Sequence, residues 1–409
     1  MTAWLTVVGI GEDGLAGLSE AARAALAEAR TLFGGQRHLD MVPPIDATAQ
    51  TGQERIVWPS PFAAAFDMVL ARRGQKVCIL ASGDPMFYGM GASLSRRLDA
   101  GEMRVFPMPS SFSLAAARLG WALQDCVLLT VHGRPLEILH PHLFPGRRLL
   151  ILSEDGRTPA RLSELLRNRG FGPSLITVLE HMGGTQENRR EGIAQDWADV
   201  QTADLNVMAV DCRAMDDTVH RSCLCGLPDE AFINDGQLTK RDVRAVTLAR
   251  LAPRPGELLW DVGGGCGSIG IEWMLSHPAC RTISIEANES RQDIIAANAL
   301  ALGVPGLQLV RGPAPEALQG LEAPDVVFIG GGLTVDTVPE FCWNALKPGG
   351  RMVANAVTIQ SEALLVNLRD RWGGELIRIS VAQASPVGRF DCWRTAMPVT
   401  IWSAVKPLA

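Results

Sequence analysis

The 409-residue sequence lacks several features that would assign a protein to a class at once. No apolar stretch approaches the roughly 20 residues that a helix needs to cross a bilayer. Basic residues are not in excess, because the formal net charge is −6 and both signs are interspersed along the chain. A nucleic-acid-binding protein normally carries a basic patch or stripe. We therefore expect neither a membrane span nor a nucleic-acid partner.

The start of the chain lacks the basic segment of a secretory signal peptide. Residues 4–8 form a short apolar run, W-L-T-V-V, which Gly9 ends. This pattern predicts a first buried strand rather than a targeting segment. The expected location is the cytoplasm.

The nine cysteines lack the spacing of a metal or redox motif. The only close pair, Cys223 and Cys225, is separated by one residue instead of the two found in zinc knuckles and redox pairs. We expect ordinary reduced thiols and no metal. A Ser-His-Asp or Cys-His constellation is not evident either, so the sequence names no catalytic acid, base or nucleophile.

Composition and pattern predict two α/β domains. Apolar residues make up 47% and charged residues 20%, as in compact globular proteins. Strand-like and helix-like runs alternate, which favours parallel sheets. The periodicity lapses between about 212 and 238, and no internal repeat is visible. The resulting hypothesis is a first domain over 1–212, a linker over 213–225, and a different α/β fold over 226–409.

Individual elements follow from the same pattern. A helix is expected over 21–32 behind an N-cap at Ser19, and another from Thr239. The last apolar run, 395–402, fits either an oligomer interface or an inner strand. The predicted strands lie near 5–8, 77–81, 127–131, 148–152, 175–179, 205–210, 258–262, 282–285, 307–310, 326–329, 352–356, 376–381 and 395–402.

The sharpest motif is the glycine-rich stretch 261–270, which reads D-V-G-G-G-C-G-S-I-G. Glycines at a strand-to-helix turn let a ligand lie against the backbone, with helix N–H groups facing it. Glu286 ends the next predicted strand, about twenty residues further on, where a carboxylate can accept hydrogen bonds from ribose hydroxyls. Both features fit NAD and S-adenosylmethionine (SAM) equally, and the glycines alone also fit a structural tight turn.

Two later motifs decide between these cofactors. Residues 325–331 read D-V-V-F-I-G-G, and residues 345–353 read A-L-K-P-G-G-R-M-V. In this order the motifs resemble the Rossmann-like SAM-dependent methyltransferases, over residues 226–409, and do not resemble dehydrogenases. Three more stretches, 226–232, 238–244 and 312–318, resemble the precorrin methylases that act at C15 and decarboxylate.

That resemblance implies a set of SAM contacts in the second domain. Some of these residues have a purely structural alternative. Thr239 with Asp242 also fits a capping box, Ala314 fits a small packing residue, and Glu286 fits a surface carboxylate. The implied contacts are Thr239, Gly263, Gly264, Gly265, Cys266, Gly267, Glu286 and Ala314.

The first half carries two glycine-rich turns, V-G-I-G-E-D-G at 8–14 and A-S-G-D-P-M-F-Y-G at 81–89. Each alone fits an ordinary connection. Together with 33–39 and 109–113 they resemble the tetrapyrrole methylase family, in its C5-methylating branch, over about 1–212. The resemblance implies a two-lobed α/β fold with SAM between the lobes. The implied contacts are Gly9, Gly11, Gly83, Asp84 and Ser111.

Two positions depart from that family's pattern. Glu12 stands where its members often carry proline, and Ser82 stands where they often carry a second glycine. Because of these departures, the resemblance does not predict the detailed structure of the first loop. They are also the only hint of a third possibility, a binding or scaffolding protein with one inactive half.

The two halves together resemble the bifunctional precorrin-6B C5,15-methyltransferases of cobalamin biosynthesis. This implies two methylations of a carboxylated tetrapyrrole, loss of the ring C acetate carboxyl group to give precorrin-8, one SAM per domain, and a homo-oligomer, dimer or tetramer. Another small metabolite and an NAD-linked oxidation remain the alternatives.

Arginine binds carboxylates bidentately, so basic residues are candidates for holding the substrate. Each of them also fits a solvated surface position. His181 and His220 are expected to be structural or surface residues. The candidates are Arg37, His38, His132, Arg134, Arg241, Arg244 and Arg389.

Overall fold

The structure, a computed structural model, describes residues 3–43, 52–197, 201–218, 222–335 and 337–408. His220 lies outside these ranges. The chain divides into two compact units, Met1–Arg134 with His142–Thr218 and Pro135–Pro141 with Val219–Ala409. The division at residue 218 falls within the predicted linker, whereas nothing in the sequence indicated that Pro135–Pro141 belongs to the second unit. Within the described ranges, no helix is long and apolar enough to cross a membrane.

The first unit contains two five-stranded sheets. In the first sheet all neighbouring strands are parallel, in the order β3-β2-β4-β1-β5. Its strands are β1 (Leu5–Ile10), β2 (Thr31–Gly34), β3 (Glu54–Val57), β4 (Val77–Ser82) and β5 (Met103–Phe106). Its helices are α1 (Glu20–Glu28), α2 (Gln36–Asp40), α3 (Ala64–Leu70) and α4 (Met90–Leu94).

Burial on both faces explains why β1 is almost continuously apolar. Leu5 and Val7 pack into one hydrophobic cluster, while Val8 and Ile10 pack into another. Parallel strands covered on both faces have this composition.

The helix predicted over 21–32 is too long by several residues. Ser19 caps it as expected, since its Oγ accepts a hydrogen bond from the Ala22 N–H at 3.2 Å. The helix ends at Glu28, and all four residues of β2 are buried. Pairing with β3 and β4 therefore overrides the helical pattern of this short stretch.

The second sheet of the first unit has the order β6-β7-β10-β8-β9. Only β6 and β7 pair in parallel, so the expectation of parallel sheets holds here for a single pair. Its strands are β6 (Cys126–Thr130), β7 (Arg148–Leu152), β8 (Leu175–Glu180), β9 (Asn188–Ile193) and β10 (Asn206–Asp211). The helices are α5 (Ser111–Leu119) and α6 (Thr158–Asn168).

The second unit contains a seven-stranded sheet and a separate hairpin, β17 paired with β18. The strands are β11 (Leu258–Val262), β12 (Arg281–Glu286), β13 (Gln308–Arg311), β14 (Val326–Ile329), β15 (Arg351–Ala356), β16 (Glu375–Ile379), β17 (Ala382–Val387), β18 (Phe390–Thr395) and β19 (Val399–Val405). The helices are α7 (Arg241–Leu251), α8 (Ser268–Ser276), α9 (Glu289–Ala301), α10 (Val338–Ala345) and α11 (Ile359–Trp372).

The seven strands are ordered β13-β12-β11-β14-β15-β19-β16. The dinucleotide-binding order 3-2-1-4-5-6 is thus interrupted by β19, which runs antiparallel to both of its neighbours. Ile401 and Trp402 of this strand are 1% and 0% exposed. The apolar run 395–402 therefore ends in an inner strand, and β19 is not available as an oligomer interface.

Candidate active sites

The glycine turn of the second unit lies at a switch point of the sheet. After β11 the chain proceeds to β12 on one side, whereas β14 lies on the other. Ligands of open α/β sheets bind at the carboxyl ends of strands at such a point. A Cβ atom on Gly263 would lie 2.5 Å from Gly331 Cα, in the turn after β14. Gly263 is therefore required for the close approach of two backbone turns.

The other glycines of this turn differ in what surrounds them. A Cβ on Gly264 would overlap Ser284 Oγ, and one on Gly267 would lie 3.2 Å from Ile271 and Ile295. A Cβ on Gly265 would meet only the Gln237 carbonyl oxygen, at 3.4 Å. Of these glycines, Gly265 alone would accept a Cβ atom without a contact shorter than 3.4 Å.

A cavity of about 970 Å³ opens over this turn. It includes most of the residues that the sequence implicated in SAM binding, although Gly267 is not among the lining residues. The implicated residues that line it are Thr239, Gly263, Gly264, Gly265, Cys266, Glu286 and Ala314.

Glu286 is built into the site rather than lying free on the surface. It ends β12 and is only 6% exposed. Its Oε2 accepts a hydrogen bond from the Gly265 N–H at 2.8 Å, and its Oε1 accepts one from the Asn288 N–H at 2.9 Å. Each carboxylate oxygen has two acceptor sites, so one on each remains for a ligand hydroxyl.

The predicted capping box of Thr239 and Asp242 does not form. Helix α7 begins at Arg241 behind Lys240, and no side chain at the N-cap position accepts a hydrogen bond. Instead Asp229 Oδ1, from the preceding segment, accepts a hydrogen bond from the Arg241 N–H at 3.0 Å. Thr239 is left beside the cavity without a capping role.

Arg244 cannot hold a substrate carboxylate, so that candidate is wrong. Its side chain is fully buried, and its Nε donates to Glu272 Oε1 at 2.6 Å. Its remaining donors reach the Thr239 and Leu227 carbonyl oxygens and Asp229. A buried guanidinium needs such partners, and here they tie the segment before α7 to α8.

Of the other predicted carboxylate partners in this unit, Arg241 is exposed and lines the cavity. Arg389 lies beyond β17 with its guanidinium 5.2 Å from the Phe390 ring, and it does not line the cavity.

Sequence reasoning did not select Asp261, although it opens the glycine motif. Its side chain is fully buried and lines the cavity. Oδ2 accepts a hydrogen bond from the Gly270 N–H at 3.2 Å, whereas Oδ1 has no partner among the described residues. Burial raises the pKa of this carboxyl group to about 7.

In the first unit, glycines also lie close together at the carboxyl ends of two neighbouring strands, β1 and β4, which pair in parallel. A Cβ on Gly9 would overlap the Gly83 carbonyl oxygen and lie 2.9 Å from Met108 N. Gly83 itself has φ +55°. A Cβ on Gly11 would lie 2.7 Å from Asp13 Oδ1. These glycines allow the close packing of the first unit's own turns.

A cavity of about 450 Å³ lies beyond these turns. Asp84 and Ser111 line it, as the sequence implied, whereas Gly9, Gly11 and Gly83 are not among the lining residues. Asp84 Oδ1 accepts a hydrogen bond from the Met86 N–H at 2.9 Å, which fixes its turn. Aromatic side chains form much of the wall, namely Trp58, Phe62, Phe87, Tyr88 and Phe112.

Both departures from the family pattern lie in one polar cluster. Arg37 pairs with Glu12 and donates to Ser82 Oγ at 3.2 Å. His38 Nε2 lies 2.9 Å from Ser82 Oγ and 3.0 Å from Arg37 Nη2, while His181 Nδ1 lies 3.0 Å from Glu12 Oε2. Burial, with the nearby guanidinium, lowers the pKa of His38 to about 4. His38 is neutral at pH 7, and Arg37 already has a carboxylate partner.

The two remaining candidates are exposed. His132 lines the cavity of the first unit, with its Nδ1 3.8 Å from Glu154. The Arg134 guanidinium lies 5.9 Å from the centre of the Tyr88 ring.

Two family models match the chain. The model for Tetrapyrrole (Corrin/Porphyrin) Methylases matches residues 4–197, and the model for a Precorrin methyltransferase domain matches residues 230–406. A tetrapyrrole methylase domain is therefore followed by a methyltransferase domain, and the α/β class is confirmed.

Curated relatives cover the whole chain or part of it. A precorrin-6Y C(5,15)-methyltransferase [decarboxylating] from Sinorhizobium sp is 51% identical over 403 residues, 98% of this chain and 96% of the relative. A cobalt-precorrin-7 C(5)-methyltransferase from Salmonella typhimurium is 31% identical over 46% of this chain and 88% of its own length. A probable cobalt-precorrin-6B C(15)-methyltransferase (decarboxylating) from Pyrobaculum calidifontis is 33% identical over 44% and 95%.

The full-length relatives are named for precorrin-6Y, where the sequence had suggested precorrin-6B. On the strength of the identity over the full length, the chain belongs to the family of precorrin-6Y C(5,15)-methyltransferases [decarboxylating].

Proposed function

We propose that this chain is a bifunctional SAM-dependent methyltransferase of cobalamin biosynthesis. It methylates precorrin-6Y at C5 and C15 and removes the carboxyl group of the ring C acetate, giving precorrin-8. The observation that carries the proposal is the cavity of about 970 Å³ in the unit matched by the precorrin methyltransferase model. There a bare glycine backbone and a buried carboxylate meet at the switch point of the sheet.

The residues present fit SAM in the second unit. Gly265 offers backbone against which a nucleoside can lie, because a Cβ atom there would overlap no protein atom and the residue lines the cavity. Glu286 is fixed by two backbone N–H groups and retains acceptor sites for ribose hydroxyls. Thr239, Cys266 and Ala314 complete the proposed contacts. When bound, SAM supplies an electrophilic methyl group on its sulfonium sulfur.

We assign a second SAM to the first unit, with Asp84 and Ser111 in its cavity. That cavity, about 450 Å³, lies within the usual range for small-molecule sites. Gly9, Gly11 and Gly83 would act there by shaping the turns that hold Asp84 in place. C5 methylation is assigned to this unit, and C15 methylation with decarboxylation to the second.

Neither methylation requires a nucleophilic side chain. The electron-rich carbon of the macrocycle would form the new bond to the methyl group while the methyl–sulfur bond of SAM breaks, its electron pair staying on the sulfur of S-adenosylhomocysteine. The hydrogen replaced on that carbon would leave as a proton. The chain's own residues hold the reactants in line, which lowers the barrier by several kcal/mol. For decarboxylation, the conjugated macrocycle accepts the electron pair that the departing carbon dioxide leaves behind, in the role an added cofactor would otherwise fill. A proton from water then returns to the side-chain carbon, which becomes a methyl group.

The direct test is to incubate the full chain with SAM and precorrin-6Y and to weigh the product by mass spectrometry. We expect a net gain of two CH2 units, because each methyl group replaces a hydrogen, and the loss of one carbon dioxide. If only another metabolite is methylated, the substrate assignment is wrong. Measurable NAD affinity in a calorimetric titration would support the oxidoreductase alternative instead.

Variants of each site test the division of labour. Glu286→Ala should weaken decarboxylation together with one methylation, while Asp84→Ala should weaken only the other methylation. Glu289→Ala and Asp67→Ala, which remove exposed carboxylates on α9 and α3, serve as matched controls. Equal loss of both methylations in either site variant would contradict separate sites. The dimer or tetramer implied by the resemblance stays a prediction, which light scattering tests.

A further inference from the structure

The cavity of the second unit extends well past the residues proposed for SAM. Glu286 ends β12, whereas Asn355 of β15 and Val399 of β19 line the far end. Three strand spacings separate β12 from β15, and a fourth leads to β19. At about 4.8 Å for each spacing, the far end lies roughly 14–19 Å from Glu286. This length leaves room for a second, larger ligand beside the nucleoside.

The β17–β18 hairpin forms part of that far wall. Gln383 pairs with Arg394 and Ser385 pairs with Cys392, so these side chains share one face of the hairpin. Gln383, Ser385 and Arg394 all line the cavity. Trp393 points to the opposite face because side chains alternate along a strand, and it is 75% exposed.

Arg394 differs from most other cations of the cavity in its partners. Arg291 is paired with Asp235 at 2.8 Å, and Lys240 lies 3.5 Å from Asp229. Arg394 is exposed and makes no ion pair with a described residue. Its guanidinium is therefore available to a ligand anion.

No carboxylate of the described cavity lining lies on the hairpin, on β15 or on β19. The acidic lining residues are Asp229, Asp242, Asp261 and Glu286. Asp391 shares β18 with Arg394, but it does not line the cavity and alternation along the strand places it on the opposite face. An anion at the far wall thus meets Arg394 without a cavity-lining carboxylate on the same elements.

A neighbouring buried acceptor also indicates a ligand at this end. Asn355 Nδ2 donates to Thr247 Oγ1 at 2.9 Å, which fixes the amide so that Oδ1 is the free acceptor. That oxygen is buried and has no partner among the described residues. Buried acceptors are normally hydrogen-bonded, and an N–H group of a ligand would satisfy this one. A tetrapyrrole supplies both pyrrole N–H donors and peripheral carboxylates.

We propose that Arg394 binds a peripheral carboxylate of the macrocycle and so positions it against the SAM site of the second unit. The inference rests on the proposed function and adds the residue that recognises the substrate. A planar guanidinium binds a carboxylate through two parallel N–H donors. The hairpin is then the substrate-facing wall, and the glycine turn is the cofactor-facing wall.

The test compares Arg394→Gln with Arg389→Gln in the full chain. Both changes remove one exposed guanidinium from the same hairpin segment, but only Arg394 lines the cavity. We expect Arg394→Gln to raise the KM for precorrin-6Y in decarboxylation about 10- to 100-fold, the loss that a hydrogen bond to a charged group implies. The kcat, the SAM Kd and the Tm should stay near wild type. Arg394→Lys should recover part of the affinity, since it restores charge without the planar fork.

The outcomes separate the inference from the proposed function. If wild type does not convert precorrin-6Y, the proposed function fails. If wild type is active and Arg394→Gln has the KM of Arg389→Gln, only the role of Arg394 is wrong. A parallel rise in the SAM Kd would also overturn it, because Arg394 would then belong to the cofactor site.

Discussion

Both units pack two strand-end turns against each other with glycines. In each, a glycine at the carboxyl end of the sheet's first strand, or just past it, meets a glycine turn after the neighbouring parallel strand. Gly9 lies against Gly83 at the ends of β1 and β4, and Gly263 lies against Gly331 at the ends of β11 and β14. A side chain at Gly9 or Gly263 would run into backbone, so the fold itself demands these glycines.

The units differ in what stands next to the paired glycines. In the second, Gly265 and Glu286 are joined by a hydrogen bond and both line the larger cavity. In the first, the predicted glycines lie outside the cavity lining, and aromatic side chains form much of the wall. A glycine-rich turn therefore lies beside a cavity in both units, but its glycines line that cavity only in the second unit.

The largest effect is expected from a pair of alanine substitutions in one turn. Gly263 and Gly265 both have positive φ, +72° and +61°, so alanine is strained at either. Only at Gly263 does the new Cβ also overlap backbone, at 2.5 Å from Gly331 Cα, whereas at Gly265 it makes an ordinary 3.4 Å contact with the Gln237 carbonyl oxygen. Adding about 1–3 kcal/mol for overpacking to about 1–3 kcal/mol of strain, Gly263→Ala should lower the free energy of unfolding by about 2–6 kcal/mol.

Gly265→Ala is the matched control, because it introduces backbone strain without steric overlap, and we expect its second unit to stay folded. Its SAM affinity should nevertheless fall, because the methyl group enters the space proposed for the nucleoside. Denaturant unfolding and calorimetric SAM titration measure the two effects. Equal losses of stability in both variants would mean that contact with Gly331 does not matter.

The carboxyl ends of β11, β12 and β14 were predicted well from the sequence. Buried parallel strands are recognised there as short apolar runs, and the turns that follow them are recognised by their glycines. Glu286 was identified for the same reason, since it ends a periodic run. The roles of Thr239 and Arg244 were not predictable, because both depend on Asp229 and Glu272, which are distant in sequence. Hydrogen bonds of that range leave no periodic signal.

The β17–β18 hairpin was missed for a different reason. All six residues of β18 are exposed, so its composition shows no alternation between buried and exposed positions. The apolar run 395–402 was then assigned to one strand, although Pro398 separates β18 from β19. Arg394, the residue proposed for substrate recognition, lies in that unpredicted hairpin.

A smaller effect, on binding alone, is expected at Glu286. Glu286→Ala removes the acceptor proposed for the ribose hydroxyls and should weaken SAM binding about 10- to 100-fold, at roughly 1.5–3 kcal/mol for a charged hydrogen bond. Glu286→Gln keeps one oxygen acceptor and should lose less. Calorimetric titration gives the stoichiometry too, which we expect to fall from two SAM per chain to one at moderate concentrations. An unchanged stoichiometry and affinity in Glu286→Ala would remove Glu286 from the site.

One buried group in each unit should make stability depend on pH, and the two dependences should have opposite signs. Asp261 has its pKa raised to about 7 from 3.8, so the folded state holds its proton more tightly. Its contribution to stability is lost as pH rises from about 4 to about 7. His38 has its pKa lowered to about 4 from 6.5, so its contribution is lost as pH falls over that interval.

In the full chain both groups contribute to the pH dependence of stability, and replacing each with an uncharged residue separates the two contributions. The Tm of Asp261→Asn relative to wild type should rise by a few degrees between about pH 4 and pH 7. The Tm of His38→Gln relative to wild type should fall between about pH 4 and pH 6.5. Scanning calorimetry in constant ionic strength measures both differences. Parallel slopes in the two variants would contradict the assigned environments.

The smallest effect concerns the positions where the first unit departs from its family. Glu12 and Ser82 make no hydrogen bond to each other, yet both bind the Arg37 guanidinium. The Arg37 side chain is 40% exposed, and ion pairs at such positions contribute about 0–1 kcal/mol. Glu12→Gln and Ser82→Gly should therefore each lower the free energy of unfolding by less than about 1 kcal/mol, apart from the backbone entropy that a glycine adds.

Because Glu12 and Ser82 share Arg37 as a partner, the effects of the two substitutions should not add, and a double-mutant cycle should show a coupling of about 0.5 kcal/mol. Urea unfolding of the four proteins measures it, with Arg23→Gln as a control that removes an exposed guanidinium from α1. Strict additivity would mean that Arg37 does not link the two departures.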